Sequence, residues 1–380
     1  MTIQSLKRIK AIAWKEFVQI KRDPRSLALS LAIPIFLLFI FGYGLSLDID
    51  HVRTVVWNQD ASSVFTREFL LNFQNSKYFK IVGFRDNYRE IEHMIDSGDV
   101  LMALIIPKDF SHYIESGKPA PLQLIIDGSD ANTATIARGY VQSVVANYNA
   151  NLLVKTIQKK GLDPLSSFDA RQRIWFNMGL NSTWFIVPGV ISMILMIIAA
   201  LVTSICVARE WERGTMEQLI STPVKAPELI IGKFIPYFAI GFFDLFVGVI
   251  ISQFLFGVPF RGSYLVLVVL SALFLTGALG QGILISVVGR TQLMASQLAT
   301  LTTMLPSILL SGFIYPIFNM PQFVQVVTYF VPARYYIVIL RELFLKGGGM
   351  STMWDEALFL FLFAFIMLGL AITKFKKKVA

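Results

Sequence analysis

One cysteine, three histidines and little charge in 380 residues exclude several chemistries at once. Cys206 has no partner within the chain, so an intrachain disulfide is ruled out, and a cysteine-based metal site is not expected. His51, His93 and His112 lie far apart and lack the spacing of metal ligands. Asp127, Gly128 and Asp130 resemble a fragment of a cation loop. Such a loop needs more oxygen ligands and a distal glutamate, so this stretch reads as a turn and no metal site is assigned. There is no GxxxxGK[ST] phosphate loop, no HExxH and no GxSxG, so no catalytic residue is named and no cofactor is expected on this chain. Charged residues make up only 16%, against 55% hydrophobic, and the mean hydropathy is +0.61. That is too little charge to cover a soluble protein of this length.

What fills the chain instead is long apolar runs, several reaching the roughly 20 residues that cross a bilayer as helix. Six transmembrane helices are expected, over 26–47, 184–208, 230–256, 263–288, 293–315 and 355–374. The basic N-terminus is not followed by a short apolar core with a cleavage site, so no cleavable signal is read there. The stretch 316–354 is apolar but broken by Pro316, Pro321 and Pro332. It is expected outside the membrane or as a re-entrant segment rather than a straight span.

Charge sets the orientation. Sixteen Lys and Arg flank the spans on one face, from Lys7 through Arg209, Arg213, Lys225, Lys233 and Arg290 to the basic tail 375–380 and the preceding Lys374. The opposite connections carry only Arg261, Arg334, Arg341 and Lys346. Both termini are therefore expected in the cytoplasm. The net charge of +9 is thus a topology signal and a contact for anionic lipid, not a nucleic-acid footprint. Residues 48–183 contribute none of it, with 14 Lys and Arg against 15 Asp and Glu.

Within 48–183, strand-like stretches at 52–57, 78–84, 100–107 and 122–129 alternate with helix-like ones at 63–76, 87–99 and 131–160. That alternation predicts an inserted extracytoplasmic α/β domain with several parallel strand pairs. In residues 1–25, Ile3, Leu6, Ile9, Ala13, Phe17 and Ile20 recur at helical spacing among lysines and arginines. This predicts a cytoplasmic amphipathic helix, lying in the membrane interface or packed on protein.

Three groups inside the spans are candidate sites. Asp244 lies about 16 Å along a helix from Lys233 by the rise per residue, well into the bilayer. An intramembrane carboxylate is costly, so it marks function or holds helices together, and both readings stay open. Thr300, Thr303, Ser307 and Ser311 suit a pathway or a dimer interface, or simply close packing. "FGYG" at 41–44 lacks the pore helix of a potassium filter and reads as helix packing.

The stretch "REWERGTMEQLISTPV" at 209–224 interrupts two apolar runs with five charges, a glycine and a proline. Gly214 ends or bends the preceding helix, Thr215 and Gln218 have the spacing of a capping box, and Pro223 stops the new helix. Met216, Leu219 and Ile220 share a face too short to be stable alone. They need lipid, this protein's own core or a partner; Glu210, Glu212 and Glu217 would be repelled by an anionic leaflet, which favours a partner.

This stretch resembles the cytoplasmic coupling segment of ABC-2 type transporter permeases. "LSGFIYPIFNMPQFVQVVTYFVPARYYIVILRELFLKGGG" at 310–349 resembles the outer segment before their last span. "PIFLLFIFGYGLSLD" at 34–48, followed by a large outer domain, is similar to the bacterial drug-exporter branch. The resemblance implies a dimeric permease of the bacterial inner membrane, paired with itself or a related chain. It implies a separate ATP-binding subunit that holds ATP and Mg²⁺ and does the hydrolysis. The 209–229 segment would seat on that subunit, Met216, Leu219 and Ile220 filling its groove while Glu210, Glu212, Arg213 and Glu217 fix the register around Gly214, Thr215 and Gln218. The exported compounds would be amphipathic or apolar drugs or lipids, with a periplasmic adaptor as a further possible partner of the outer domain. From other classes come an ion-coupled antiporter using Asp244, and a membrane sensor with an outer ligand-binding domain. The first lacks the internal repeats common in such carriers, and the second lacks a cytoplasmic signalling module.

Overall fold

The computed structural model describes residues 3–44, 51–76, 78–159, 176–177 and 181–375. They form two compact units: Met1–Ser46 with Ile174–Ala380, and Leu47–Arg173 inserted between them in sequence.

The first unit is helical. It begins with α1 (Ile3–Arg22) and α2 (Pro24–Leu27), followed through a π-turn at Ala28–Ala32 by α3 (Ile33–Gly44). Helices α1 and α2 meet at Asp23-Pro24, where proline has no N–H to give the preceding turn.

The inserted unit runs β1 (Val52–Asn58), α4 (Val64–Gln74), β2 (Phe79–Phe84), α5 (Tyr88–Asp96), β3 (Met102–Ile106), α6 (Phe110–Glu115), β4 (Gln123–Ile126) and α7 (Ala131–Lys159). Its sheet has the order β2-β1-β3-β4. Strand β1 pairs parallel with both β2 and β3, while β3 pairs antiparallel with β4. The parallel pairs need helical crossovers, which α4 and α5 supply. All five side chains of β3 are buried, because helices cover both sheet faces. On one face Phe69, Phe73, Phe79, Leu104 and Tyr148 form the larger core. On the other, Val55, Ile91 and Ala103 pack under α5. The Asp127 carboxylate accepts from Ser129 N–H at 2.9 Å, closing the turn read from the sequence. Those Ser129 hydrogen bonds hold its pKa below the usual range.

The helical unit resumes with α8 (Ser182–Glu212), α9 (Thr215–Ser221), α10 (Ala226–Phe254) and α11 (Tyr264–Gly289). Then come α12 (Gln292–Ala299), a π-turn at Thr300–Met304, α13 (Leu305–Leu309), α14 (Gln322–Thr328), α15 (Pro332–Arg341) and α16 (Trp354–Lys374). Helix α8 is the hub: it packs on α3, α10, α11, α12 and α15, and 89% of its most apolar window is buried, against 28% for α16. Close approach rests on small residues. A Cβ on Gly282 would meet the Ala200 Cα at 3.0 Å, so α11 can lie this close to α8 only with glycine there. The Ser286 hydroxyl accepts from the Val207 and Ala208 N–H groups at 2.9 and 2.8 Å, fastening the same pair.

Four described helices, α8, α10, α11 and α16, are long and apolar enough to cross a membrane. A fifth crossing would be the pair 322–328 and 332–346, bent by 79° at Pro332. The protein is therefore a polytopic α-helical membrane protein with four to five such spans and a mixed sheet. The expected runs at 26–47 and 293–315 do not form single long α-helices. The first has an apolar helical part of Ser30–Gly44, and the second is divided by its π-turn and stops at Leu309. These two π-turns stand just before a proline, Pro34 or Pro306, whose missing N–H opens the local α ladder, whereas a third, at Glu342–Lys346, ends at Gly347.

Candidate functional site

Helix α1 buries Ser5, Ile9, Ile12, Glu16 and Ile20, one face of 3.6-residue periodicity, against α10. A Cβ on Gly232 would stand 2.7 Å from the Ile12 Cβ, so glycine lets the two helices touch. The expected apolar stripe is split: Ile9 and Ile20 are buried, while Ile3, Leu6 and Phe17 are exposed beside Trp14. The buried face includes a charge instead, Glu16.

Glu16 meets Lys233 of α10, and Lys233 is 1% exposed. The ammonium has three donors and three acceptors around it: Glu16 Oε1, Cys206 O at 3.2 Å and Glu210 Oε1 at 3.3 Å. Tyr237 O–H donates to Glu16 Oε2 at 3.3 Å, and Lys15 Nζ donates to Glu210 Oε1 at 2.5 Å. The cluster thus sets Glu16 and Glu210 against Lys15 and Lys233, neutral overall. That balance is what permits burial, since an unpaired interior charge would cost several kcal/mol.

Further pairs extend the joint. Arg209 lies 3.4 Å from Asp23, and Arg8 donates to Pro223 O at 2.7 Å and to Glu228 at 3.4 Å. Glu228 in turn accepts from Lys225 N–H at 3.0 Å, capping the start of α10. Glu212 accepts from Gln292 Nε2 at 2.6 Å, and Arg290 stands 6.0 Å over the Trp211 ring. Helix α1, the end of α8, the turn before α12 and the start of α10 are therefore one fastened assembly.

Helix α9 projects from that assembly. Gly214 sits at φ +70, the left-handed conformation that both ends α8 and starts α9. The capping box expected from Thr215 and Gln218 does not form. Thr215 is already helical, and its hydroxyl donates to the Glu210 carboxylate and, at 3.3 Å, to the Glu210 carbonyl. Two of the expected partner-facing apolar residues turn inward. Met216 is 1% exposed, and Leu219 packs with it against Val224, Leu229 and Phe375. Glu210 is likewise buried at 3%. What α9 and its approach leave exposed is Glu212, Arg213, Gly214, Glu217, Gln218 and Ser221. The Ile220 side chain and Lys376–Lys378 of the tail lie outside the described residues.

Asp244 faces the interior of the unit. It is 8% exposed, its Oδ2 has no hydrogen-bond partner among the described residues, and it lines two small cavities, one between α3, α8 and α10 and one between Ser30, α8, α10 and Leu279 of α11. Thr303, Ser307 and Ser311, four residues apart, are buried at 1–2% exposure, and Thr300 is half-buried with its hydroxyl on Ser296 O at 2.9 Å. Thr303 and Ser307 border a cavity of about 190 Å³ with Met196, Pro306 and Phe330. The structure does not bring this group together with Asp244 in a shared cavity among the described residues.

Sequence reasoning missed Glu16, Tyr237 and the role of Lys233. The available signal was a lysine inside an apolar run and an acid at helical spacing between Ile12 and Ile20, which can be buried only if they meet each other.

Residues 24–373 match the ABC-2 family transporter protein description, nearly the whole chain. The chain belongs to this family. It is 39% identical over 377 residues to the probable multidrug ABC transporter permease YbhS of Escherichia coli K12, covering 99% of this chain and 98% of that one. It is 30% identical over 349 residues to the probable multidrug ABC transporter permease YbhR of the same organism, covering 92% and 93%. The inner membrane transport permease YhhJ is 27% identical over 296 residues, with 76% of each chain covered. As an ABC-2 permease the chain is a multi-pass transport subunit and not itself an enzyme.

Proposed function

We propose that this ABC-2 permease is the membrane half of an ATP-driven exporter for amphipathic or apolar compounds, drugs or lipids, in a bacterial inner membrane. A separate ATP-binding subunit supplies hydrolysis, and the permease works as a dimer with itself or a related chain. It belongs to the drug-exporter branch, with residues 48–183 as an extracytoplasmic domain between the first two of six spans and both termini in the cytoplasm. The shorter helical runs 24–44 and 292–309 complete the six. Helix α9 is the coupling element that receives force from the ATPase.

The observation that carries this reading is the mounting of α9. Its apolar side is occupied by Met216 and Leu219 packing inward, and its exposed side is a charged rim, Arg213 and Glu217 with Gln218. The rim stands on the buried Glu16–Lys233–Glu210 cluster, so a push on it reaches α1, α8 and α10 together. A rigid mount with a polar rim is what transmitting force, rather than binding lipid, requires. Glu212, which also touches Gln292, passes the same displacement towards α12 and the Thr303, Ser307 and Ser311 face, proposed as pathway or dimer interface. The test is reconstitution of the chain with its ABC ATPase. ATP-dependent export with the pair, and none with either alone, is the expected result; full export without the ATPase refutes it.

A further inference from the structure

We infer that Asp244 forms, with α3 and α8, a headgroup site that takes the primary ammonium of a single-chain amphiphile. The inference names a substrate class for the exporter proposed above and relies on that reading only for the step of transport.

Three features of the site converge. First, the carboxylate is the one charged group among the described residues lining both cavities. The rest are aliphatic apart from Ser30, Tyr237, Pro34 and the glycines 241 and 248, with no lysine, arginine or histidine. Oδ2 has no hydrogen-bond partner although the residue is 8% exposed. A buried, unmatched carboxyl oxygen is an energetic deficit that a cationic donor relieves. The Lys233 ammonium on the same helix is not available to it, because all three of its donors are taken by Glu16, Cys206 and Glu210.

Second, the space is small. The larger cavity holds about 20 Å³ of free volume, bordered by Pro34, Leu38, Ile191, Ile194 and Gly248. That is room for one water-sized group. A –NH₃⁺ fits this volume; a trimethylammonium, with three methyl groups around nitrogen, does not.

Third, the cavity is not fully enclosed, and Ile35, Val247 and Ile251 on its lining are half-buried and apolar. An alkyl chain attached to the headgroup lies along these side chains and remains in hydrocarbon-like surroundings. The ammonium donates N–H to Asp244 Oδ2, and the resulting pair is neutral, so the charged head enters an apolar groove as a dipole rather than as an ion. Among the described residues, no cationic side chain borders the cavities to compete with the ligand, and Tyr237 is the one other titratable group on their lining.

The permease–ATPase complex in lipid nanodiscs, titrated with radiolabelled dodecylamine and corrected against empty nanodiscs, tests the site. Saturable binding of one dodecylamine per chain is expected. Asp244→Asn, Val247→Phe at the groove mouth, and replacement of the amine by dodecanol or dodecyltrimethylammonium each weaken it by about tenfold or more. Val247→Phe, at a half-buried position, keeps the melting temperature and guards against a misfolded Asp244→Asn. Equal affinity of Asp244→Asn and wild type for dodecylamine, or of wild type for amine and alcohol, overturns the inference. A water or an adventitious additive at Asp244 would give that same lack of discrimination. Loss of all amphiphile export with dodecylamine binding intact would instead count against the exporter reading and leave the site standing.

Discussion

Glu16 of α1 and Lys233 of α10 are 217 residues apart in sequence and form an ion pair in which both side chains are at most 3% exposed. That pair ties an amphipathic N-terminal helix to the interior of a transmembrane helix, and Glu210 joins it from α8. The assembly on which α9 is mounted is therefore held by charge at its base and by apolar packing at its tip.

Removing Lys233 exposes the logic of the base. Lys233→Met leaves the carboxylates of Glu16 and Glu210 buried without their shared cation, and a loss of about 3–5 kcal/mol is expected. Thermal unfolding of the purified protein measures it. Lys233→Met combined with Glu16→Gln should recover part of the loss. A double variant no more stable than the single one would show that the cluster does not act as a unit.

Gly214 is a conformational requirement without a packing one. A Cβ there meets nothing within 4 Å, yet φ is +70. Gly214→Ala is expected to cost about 1–2 kcal/mol through the left-handed backbone, and Gly214→Asn less. Because the strain falls at the joint between α8 and α9, ATP-dependent transport should decline more than ATPase activity in the assembled complex. Parallel decline of both would contradict a hinge-specific effect.

Helix α9 separates packing from the proposed partner contact. Leu219→Asp puts a carboxylate among Met216, Val224 and Leu229, and a loss of about 2 kcal/mol in stability is expected. Glu217→Lys lies on the exposed rim and should leave the melting temperature unchanged while weakening association with the ATPase. Pull-down against the ATPase subunit distinguishes them. A Glu217→Lys protein that binds normally moves the contact elsewhere.

In the inserted unit, Tyr148 O–H donates to Phe65 O at 2.9 Å between α7 and α4. Burial, with help from the Glu68 charge, pushes the phenol up to about 12 from 10. A raised folded pKa means its contribution is complete below pH 10 and is lost as pH rises towards 12, because only the unfolded phenol ionises readily in that window. Denaturant unfolding followed by near-ultraviolet circular dichroism should show this slope, and Tyr148→Phe should flatten it at a cost of about 1 kcal/mol at neutral pH.

Much of the architecture was legible because it is written in local pattern. The helices α8, α10, α11 and α16 fall within a few residues of the apolar runs that announced them, and the four strands match the β-rich stretches, β1 running one residue past its own. Helix α6, only six residues with His112 and Glu115 among its apolar positions, carries too little periodicity to be seen. The π-turns inside the runs at 26–47 and 293–315 were not legible, because hydropathy ignores what Pro34 and Pro306 do to the hydrogen-bond ladder. The amphipathic faces were visible, but not what they face: Met216 and Leu219 had three possible coverings in the sequence, and this chain's own core took them. For Glu16 and Lys233 each residue's misplaced charge was visible, but not that the two pair with each other. A contact between residues 217 positions apart leaves no local periodicity at either end.

That separation also has a consequence for biosynthesis. At the usual elongation rates of about 5–20 residues per second, the ribosome adds the lysine on the order of 10–40 s after the glutamate. Throughout that delay the N-terminal helix holds an acid on its apolar stripe with no countercharge to meet it. The nascent segment therefore keeps that face wet, and it settles on the bundle only when the third long apolar stretch has left the tunnel.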